Sequence, residues 1–195
     1  GTLIKTLHGE VAVEHLAVGD KVCMTDGRLE PIRWMAGRKI GSARLIANPK
    51  LRPVCITAGA LGNGLPQRNL MVSRQHRMLV SSKIAMRMFG VKDVLISAIK
   101  LTELPGIYVD EDVLEVEYFH LLFDKHEVIF AEDAPTESLY TGPEALKAMS
   151  SQAREEILTL FPELADRDYS PEPAEFLPAG KKQKELVARH LKNEK

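Results

Sequence analysis

Apolar and polar positions alternate in short runs over the first 140 residues, and a helical period replaces that alternation afterwards. The runs are Thr2–Thr6, Val11–Val13, Lys21–Thr25, Pro31–Met35, Val54–Thr57, Leu70–Val72, Arg77–Val80, Val94–Ile96, Val113–Leu122 and Glu127–Ala131. Turn signals separate them at His8-Gly9, Gly19-Asp20, Asp26-Gly27, Gly62-Asn63-Gly64 and Leu104-Pro105-Gly106. Many short strands with turns about every 8–12 residues predict a mainly β body, a sandwich or barrel-like fold. The helical alternation of a parallel sheet is missing. Asp26-Gly27 marks a hairpin, because Gly adopts positive φ at little cost. Val11-x-Val13-x-x-Leu16-x-x-Gly19-Asp20-x-Val22 reads as a strand, a one-turn crossover and a second strand. Val94-x-Ile96-x-x-Ile99, followed by Leu104-Pro105-Gly106, echoes it. Two such units fit a pseudo-twofold fold, although chance likeness of short apolar patterns explains the echo equally well.

After Gly142 the pattern predicts a small helical extension, residues 141–195, behind a β domain of residues 1–140. Pro143 suits the first position of a helix over 144–149. Ser150 or Ser151 can cap Arg154–Phe161, which Pro162 stops. Residues 168–179 are rich in proline and aperiodic, a linker on the surface. Lys181–Leu191 is amphipathic, with Leu186, Val187 and Leu191 on one side. Such a tail caps the body, reaches a partner or frays.

Composition narrows the function classes. A chain of 195 residues, 45% hydrophobic and 27% charged, makes one domain or a domain with an appendage. Lys and Arg number 26 against 27 Asp and Glu, net −1, which argues against a wholly basic nucleic-acid surface and an acidic tail. Arg28 to Arg52 holds seven Lys or Arg and a single acid, Glu30, but Trp34 is the one interleaved aromatic, so a solvated strand face is expected. No apolar stretch approaches the roughly 20 residues of a membrane span, and the start lacks a signal-peptide pattern. Cys23 and Cys55 are too few for a disulfide scaffold and not spaced for a metal; both read as core thiols, with a single bridge left open.

Two stretches carry candidate chemistry. In Ser73-Arg74-Gln75-His76 a hydroxyl precedes an imidazole by three positions at a strand entry, where a tight turn folds both to one side to grip the same amide. The plainer alternative is a satisfied structural histidine. In Tyr118–Ala131, if Val116–Leu122 is a strand, His120 and Asp124 share parity with Tyr118 and His126. Two histidines and a carboxylate on one face can activate a nucleophile. Alternatively, His76, His120 and His126 make a metal site, or Asp124-Lys125 is an exposed hairpin turn. A P-loop, a G-x-G-x-x-G after a strand, H-E-x-x-H and G-x-S-x-G are absent.

Taken in order, these blocks resemble one family. Gly1-Thr2-Leu3-Ile4-x-Thr6-x-x-Gly9-Glu10-x-x-Val13-Glu14-x-Leu16-x-x-Gly19-Asp20-x-Val22 resembles the opening block of Hint domains, the autoprocessing module shared by hedgehog proteins and inteins. Ser73-x-x-His76 is similar to their T-x-x-H block, with Ser for Thr, and Val116–Val128 to their closing strand block. Residues 56–66 and 156–164 are similar to a bacterial Hint subgroup attached to large, often secreted proteins. The resemblance implies a horseshoe-like β fold with pseudo-twofold character that cleaves its own chain without a cofactor. Its substrate would be an N-terminal passenger segment, and water or a small thiol would resolve the ester left by an N-to-S(O) acyl shift. It implies His76 as the amide-directed acid, Ser73 as its anchor, His126 with Asp124 as an assisting pair, and His120 as a further helper. The nucleophile is expected just before Gly1, so the chain as written is expected to be inert. Glu132-Asp133-Ala134-Pro135 follows Ala131 where a splicing domain has His-Asn, so cleavage is expected rather than splicing. The alternative is a degenerate Hint-fold binding or assembly module of a larger secreted or surface protein.

Overall fold

The computed structural model describes residues 1–166 and 168–193, with the backbone alone for Pro143, Glu144 and Ala148. The first half runs β1 (Leu3–Thr6), β2 (Gly9–Ala12), β3 (Lys21–Cys23), β4 (Leu29–Pro31), β5 (Trp34–Gly41), α1 (Ser42–Ala47), β6 (Val54–Ile56) and β7 (Leu70–Val72). It continues with β8 (Arg77–Ser81), α2 (Lys83–Phe89), β9 (Asp93–Ser97), α3 (Ala98–Leu101), β10 (Ile107–Val109), β11 (Glu115–Leu122), β12 (Val128–Ala131) and β13 (Ala134–Glu137). The extension holds α4 (Pro143–Ala148), α5 (Ser151–Leu160) and α6 (Gly180–Asn193). None of these helices, among the described residues, is long and apolar enough to cross a membrane.

One long sheet curls through the body in the order β4-β3-β1-β12-β13-β8-β9, with β2 paired to β1. A three-stranded sheet β10-β6-β7 and a long two-stranded ribbon β11-β5 complete it. The β pairings are antiparallel, consistent with the short turn-punctuated runs of the sequence. Two crossover units recur: β2, a one-turn helix at Val13–His15 and β3, then β9, α3 and β10. The echo noted in the sequence thus falls on two stretches with the same order of strand, short helix and strand.

Turn chemistry explains the hairpins. Gly27 adopts φ +88 and closes the β3–β4 loop, with its N–H donating to the Met24 carbonyl at 3.1 Å. The β12–β13 hairpin pairs Ala131 with Ala134 across Glu132-Asp133, at φ +50 and +58. Two left-handed residues are what a right-twisted two-residue hairpin needs, but Glu and Asp are costly there. Arg68 compensates, gripping both oxygens of buried Glu132 at 2.7 Å, while the Leu3 N–H donates to Oε1 at 2.8 Å.

The main core joins Ile4, Val22, Ile56, Leu70, Met78, Ile96 and Ile129 of the sheets, and Phe123 just after β11, with Leu186 and Val187 of α6. α6 therefore caps the β body; its two apolar residues are 0% and 2% exposed. Gln183 sets its register, accepting from the Ser97 N–H and hydroxyl at 3.2 and 2.9 Å and donating to the Pro178 carbonyl. A second cluster packs Leu146 and Ile157 of α4 and α5 on Trp34 and Leu122 at one end of the ribbon. Packing crosses the line drawn at residue 140. Cys23 and Cys55 are free thiols, Cys55 buried in β6 and Cys23 partly exposed.

Deleting the α6 anchor with Leu186→Ala is expected to cost about 2–5 kcal/mol, as for other fully buried leucines. Urea unfolding measures it; a loss under about 0.5 kcal/mol would mean that α6 does not share the core.

Candidate functional site

The turn Ser73–His76 links β7 to β8 and is held from both ends. The His76 N–H donates to the Ser73 carbonyl at 3.1 Å. The His76 and Arg74 carbonyls accept from the Ala98 and Ile99 N–H groups at 2.8 and 3.0 Å. These two N–H groups open the short helix α3 and have no partner within it, so the helix start clamps the turn. Ser73 contributes its carbonyl; its partly buried hydroxyl has no hydrogen-bond partner among the described residues.

The His76 imidazole lies on β13. Its Nε2 is hydrogen-bonded to Thr136 Oγ1. Thr136, paired with Met78 in the register and 2% exposed, also has the Arg77 carbonyl at 3.2 Å and Met78 Sδ at 3.3 Å. Burial pushes His76 below its ordinary value; the neighbouring Glu137 charge opposes that, and His120, Arg77 and His126 reinforce it.

Glu137, next to Thr136, is the charged centre of the site. It is 7% exposed, accepts from the Arg77 N–H at 2.8 Å and from its guanidinium at 2.9 Å, and faces His126 Nε2 at 3.4 Å. Burial alone pushes this carboxyl up, but His126, His76 and Arg77 together outweigh it and hold the group below its ordinary value. Tyr140 packs its ring on His126, at 4.9 Å between centroids, with the Arg77 guanidinium 5.9 Å from the same ring.

His126 is buried, its side chain 1% exposed. Its Nδ1 accepts the Ala174 N–H at 3.0 Å, so that nitrogen is unprotonated and the ring proton sits on Nε2, toward Glu137. His120 projects from β11 opposite Ala36 and is exposed at the residue level, while partial loss of hydration and then the Arg38 charge push it below its ordinary value. Asp124 lies 59% exposed in the turn after β11 and pairs with Arg33 at 3.2 Å. The shared parity of His120, Asp124 and His126 fails because β11 ends at Leu122 and the alternation cannot run through a turn. The structure thus brings His126 against Glu137, sets His76 on Thr136 within electrostatic range of the same carboxylate and of His120, and places Asp124 with Arg33 instead of His126. Of the basic stretch, Arg28 binds Glu127 at 2.6 Å, Arg33 binds Asp124 and Lys39 binds Glu115 at 2.7 Å. The solvated-face reading fits these pairs. Among the described residues, no three His, Cys, Asp or Glu are placed to hold a metal, so His76, His120 and His126 do not converge as ligands.

Thr136, Glu137 and Tyr140 escape the sequence reading because β13 carries Pro135, which a strand search rejects. The alternation Thr136-Glu137-Ser138 after a charged two-residue loop is the signal that would find them. A cleft of about 410 Å³ opens beside His126, between Asp26, Asp124, Phe161, Tyr169 and Glu172.

The family profile described as Hint domain matches residues 1–143, and the chain belongs to that family. The fold is that of a Hint or intein-like domain. Similar solved structures include the gp41-1 intein, at 15% identity over 69% of this chain and 92% of that one with a TM-score of 0.42. Others are the MchDnaB-1 intein N145AA, at 14%, 71% and 96% with 0.43, and a bacterial intein-like domain from Clostridium thermocellum, at 15%, 71% and 95% with 0.45. No match was found among curated proteins.

A histidine whose pKa burial lowers makes folding stability depend on pH. Below the unfolded value near 6.5 the unfolded chain binds the proton more readily, so stability falls with falling pH and is regained above it. The expected result is a lower urea midpoint at pH 5.5 than at pH 7.5, with a smaller difference in His76→Gln. An equal pH dependence in the two proteins would contradict the assignment.

Proposed function

We propose that this domain cleaves its own polypeptide once, at a peptide bond upstream of Gly1, when a passenger segment and a Cys or Ser precede it. The observation that carries this reading is the His76 imidazole, poised on Thr136 at a clamped strand entry in a Hint domain. The nucleophile's sulfur or oxygen adds to the carbonyl carbon of the bond before it, and that carbon–nitrogen bond breaks. The proton that leaves the nucleophile ends on the released nitrogen, with His76 as the relay. Water or a small thiol then takes the acyl group and regenerates the nucleophile.

Thr136 decides which imidazole nitrogen is free for that relay. Its hydroxyl has one proton and several acceptors around it. Donated to His76 Nε2, it leaves the ring proton on Nδ1, the form an acid aimed at an amide nitrogen requires. The curled sheet holds this arrangement rigid, and positioning supplies much of the acceleration in an intramolecular reaction. The family gives no role to a resident cofactor in this step, and self-cleavage needs none. Without His-Asn after β12, cleavage is the expected end point.

The test is intact mass of the parent protein with its upstream segment, incubated with thiol. Two fragments whose masses sum to the parent plus water or thiol are expected. His76→Ala is expected to slow cleavage by about 10²–10⁴-fold, the usual contribution of a positioned acid–base. A single uncleaved parent mass would overturn the proposal and leave the binding or assembly module. Undiminished cleavage in the variant would remove His76 from the chemistry.

A further inference from the structure

The proline-rich stretch after α5 does more than connect. Its Ala174 N–H donates to His126 Nδ1 at 3.0 Å, and Tyr140, whose ring rests on His126, donates its hydroxyl to the Pro171 carbonyl at 2.9 Å. Two residues further on, Phe176 bridges β9, accepting the Leu95 N–H at 3.0 Å, and its ring stacks 5.4 Å from Phe89. The stretch is therefore a strap, held at the site by Pro171 and Ala174 and tied to β9 and α2 by Phe176 before α6 enters the core.

His126 Nε2 is the one buried side-chain nitrogen or oxygen among the described residues without a hydrogen-bond partner. Its nearest acceptor, Glu137 Oε2, stands at 3.4 Å, longer than the roughly 2.7–2.9 Å of a closed charge-assisted bond. A buried orphan N–H normally has a cause. Here the strap has already claimed the other nitrogen, so the ring presents Nε2–H, with Glu137 beside it but outside hydrogen-bond geometry. Loose contacts of this kind tighten when a working complex forms.

We propose that the segment 168–179 is a tautomer lock: the Ala174 N–H holds His126 as the Nε2–H form, and His126 thereby positions Glu137, whose charge serves His76. His126 and Ala174 are positioning residues, which touch neither the scissile bond nor the nucleophile. The inference rests on the self-cleavage reading for its effect on rate, but the lock itself is a property of this chain alone.

Ala174→Pro removes the N–H and keeps a residue type common in the strap; Ala174→Gly keeps the N–H and serves as the control. Long-range proton–nitrogen NMR of the ¹⁵N-labelled full chain reads the tautomer of each imidazole, with His126 identified by its loss in His126→Gln. The wild type and Ala174→Gly are expected to show His126 as Nε2–H alone, and Ala174→Pro a mixture of the two tautomers. Tyr140→Phe, which loses only the bond to Pro171, is the second variant if Ala174→Pro fails to fold; it is expected to show the same mixture in smaller proportion. A single Nε2–H form in whichever variant folds would overturn the lock. In the parent protein, Ala174→Pro is expected to slow cleavage by up to about 100-fold. A relaxed tautomer with an unchanged rate would overturn the positioning role. A parent that never cleaves refutes the self-cleavage reading, and the NMR result then decides the lock alone.

Discussion

Glu137 is almost out of reach of water, and a carboxylate there stays ionised only if its neighbours outweigh several kcal/mol of lost hydration. Arg77 supplies a backbone N–H and a guanidinium from the adjoining strand, and His126 supplies a ring nitrogen from the other side. These contacts fix more than one charge. They pin the β8–β13 register where Thr136 meets His76, and they hold Arg77 and His126 against the Tyr140 ring. Removing any partner leaves a buried charge uncompensated, so the histidines, the carboxylate and the strap stand or fall together.

The same constraint explains the extension. A β body this size can bury its core without an appendage, yet α6 gives Leu186 and Val187 to that core, and Gln183 satisfies Ser97 at the end of β9. Once α6 is anchored, the chain between α5 and α6 must cross the face that holds His126. Proline favours the extended backbone of that crossing, and the remaining N–H of Ala174 falls on the one imidazole nitrogen that needs a donor. Strap and site are thus linked by connectivity as well as by hydrogen bonds.

Most of the architecture was legible in the sequence because its signals are local. Period-two runs between Gly and Asp turns located most of the strands, Asp26-Gly27 its hairpin, and Pro143 and Ser150 the helix starts, but the run Pro31–Met35 joined the end of β4 to the start of β5, and β10 and β13 were missed. The short helices α1, α2 and α3 were not, since four to seven residues are too few for a helical period to emerge between strands. In the site, Ser73-x-x-His76 marks a real turn, because residues three apart close one. Pairing His126 with Asp124 did not survive, because parity counts faces only within one strand and a turn intervenes. Glu137 was missed because Pro135 hides its strand, and its meeting with His126 is a contact between strand and turn. Ala174 lay beyond sequence reasoning altogether, because its contact, 48 residues from His126, is made by a backbone N–H that every non-proline residue carries.

One buried charge, that of Glu137, acts on both histidines, His126 by contact and His76 through its field. An NMR titration of His76 in the wild type and in Glu137→Gln tests this most directly, since the amide keeps the side chain's shape and an oxygen for the Arg77 N–H. With the charge gone, the midpoint of His76, already below its ordinary value through burial, should fall further. A midpoint that stays in place or rises would contradict the account.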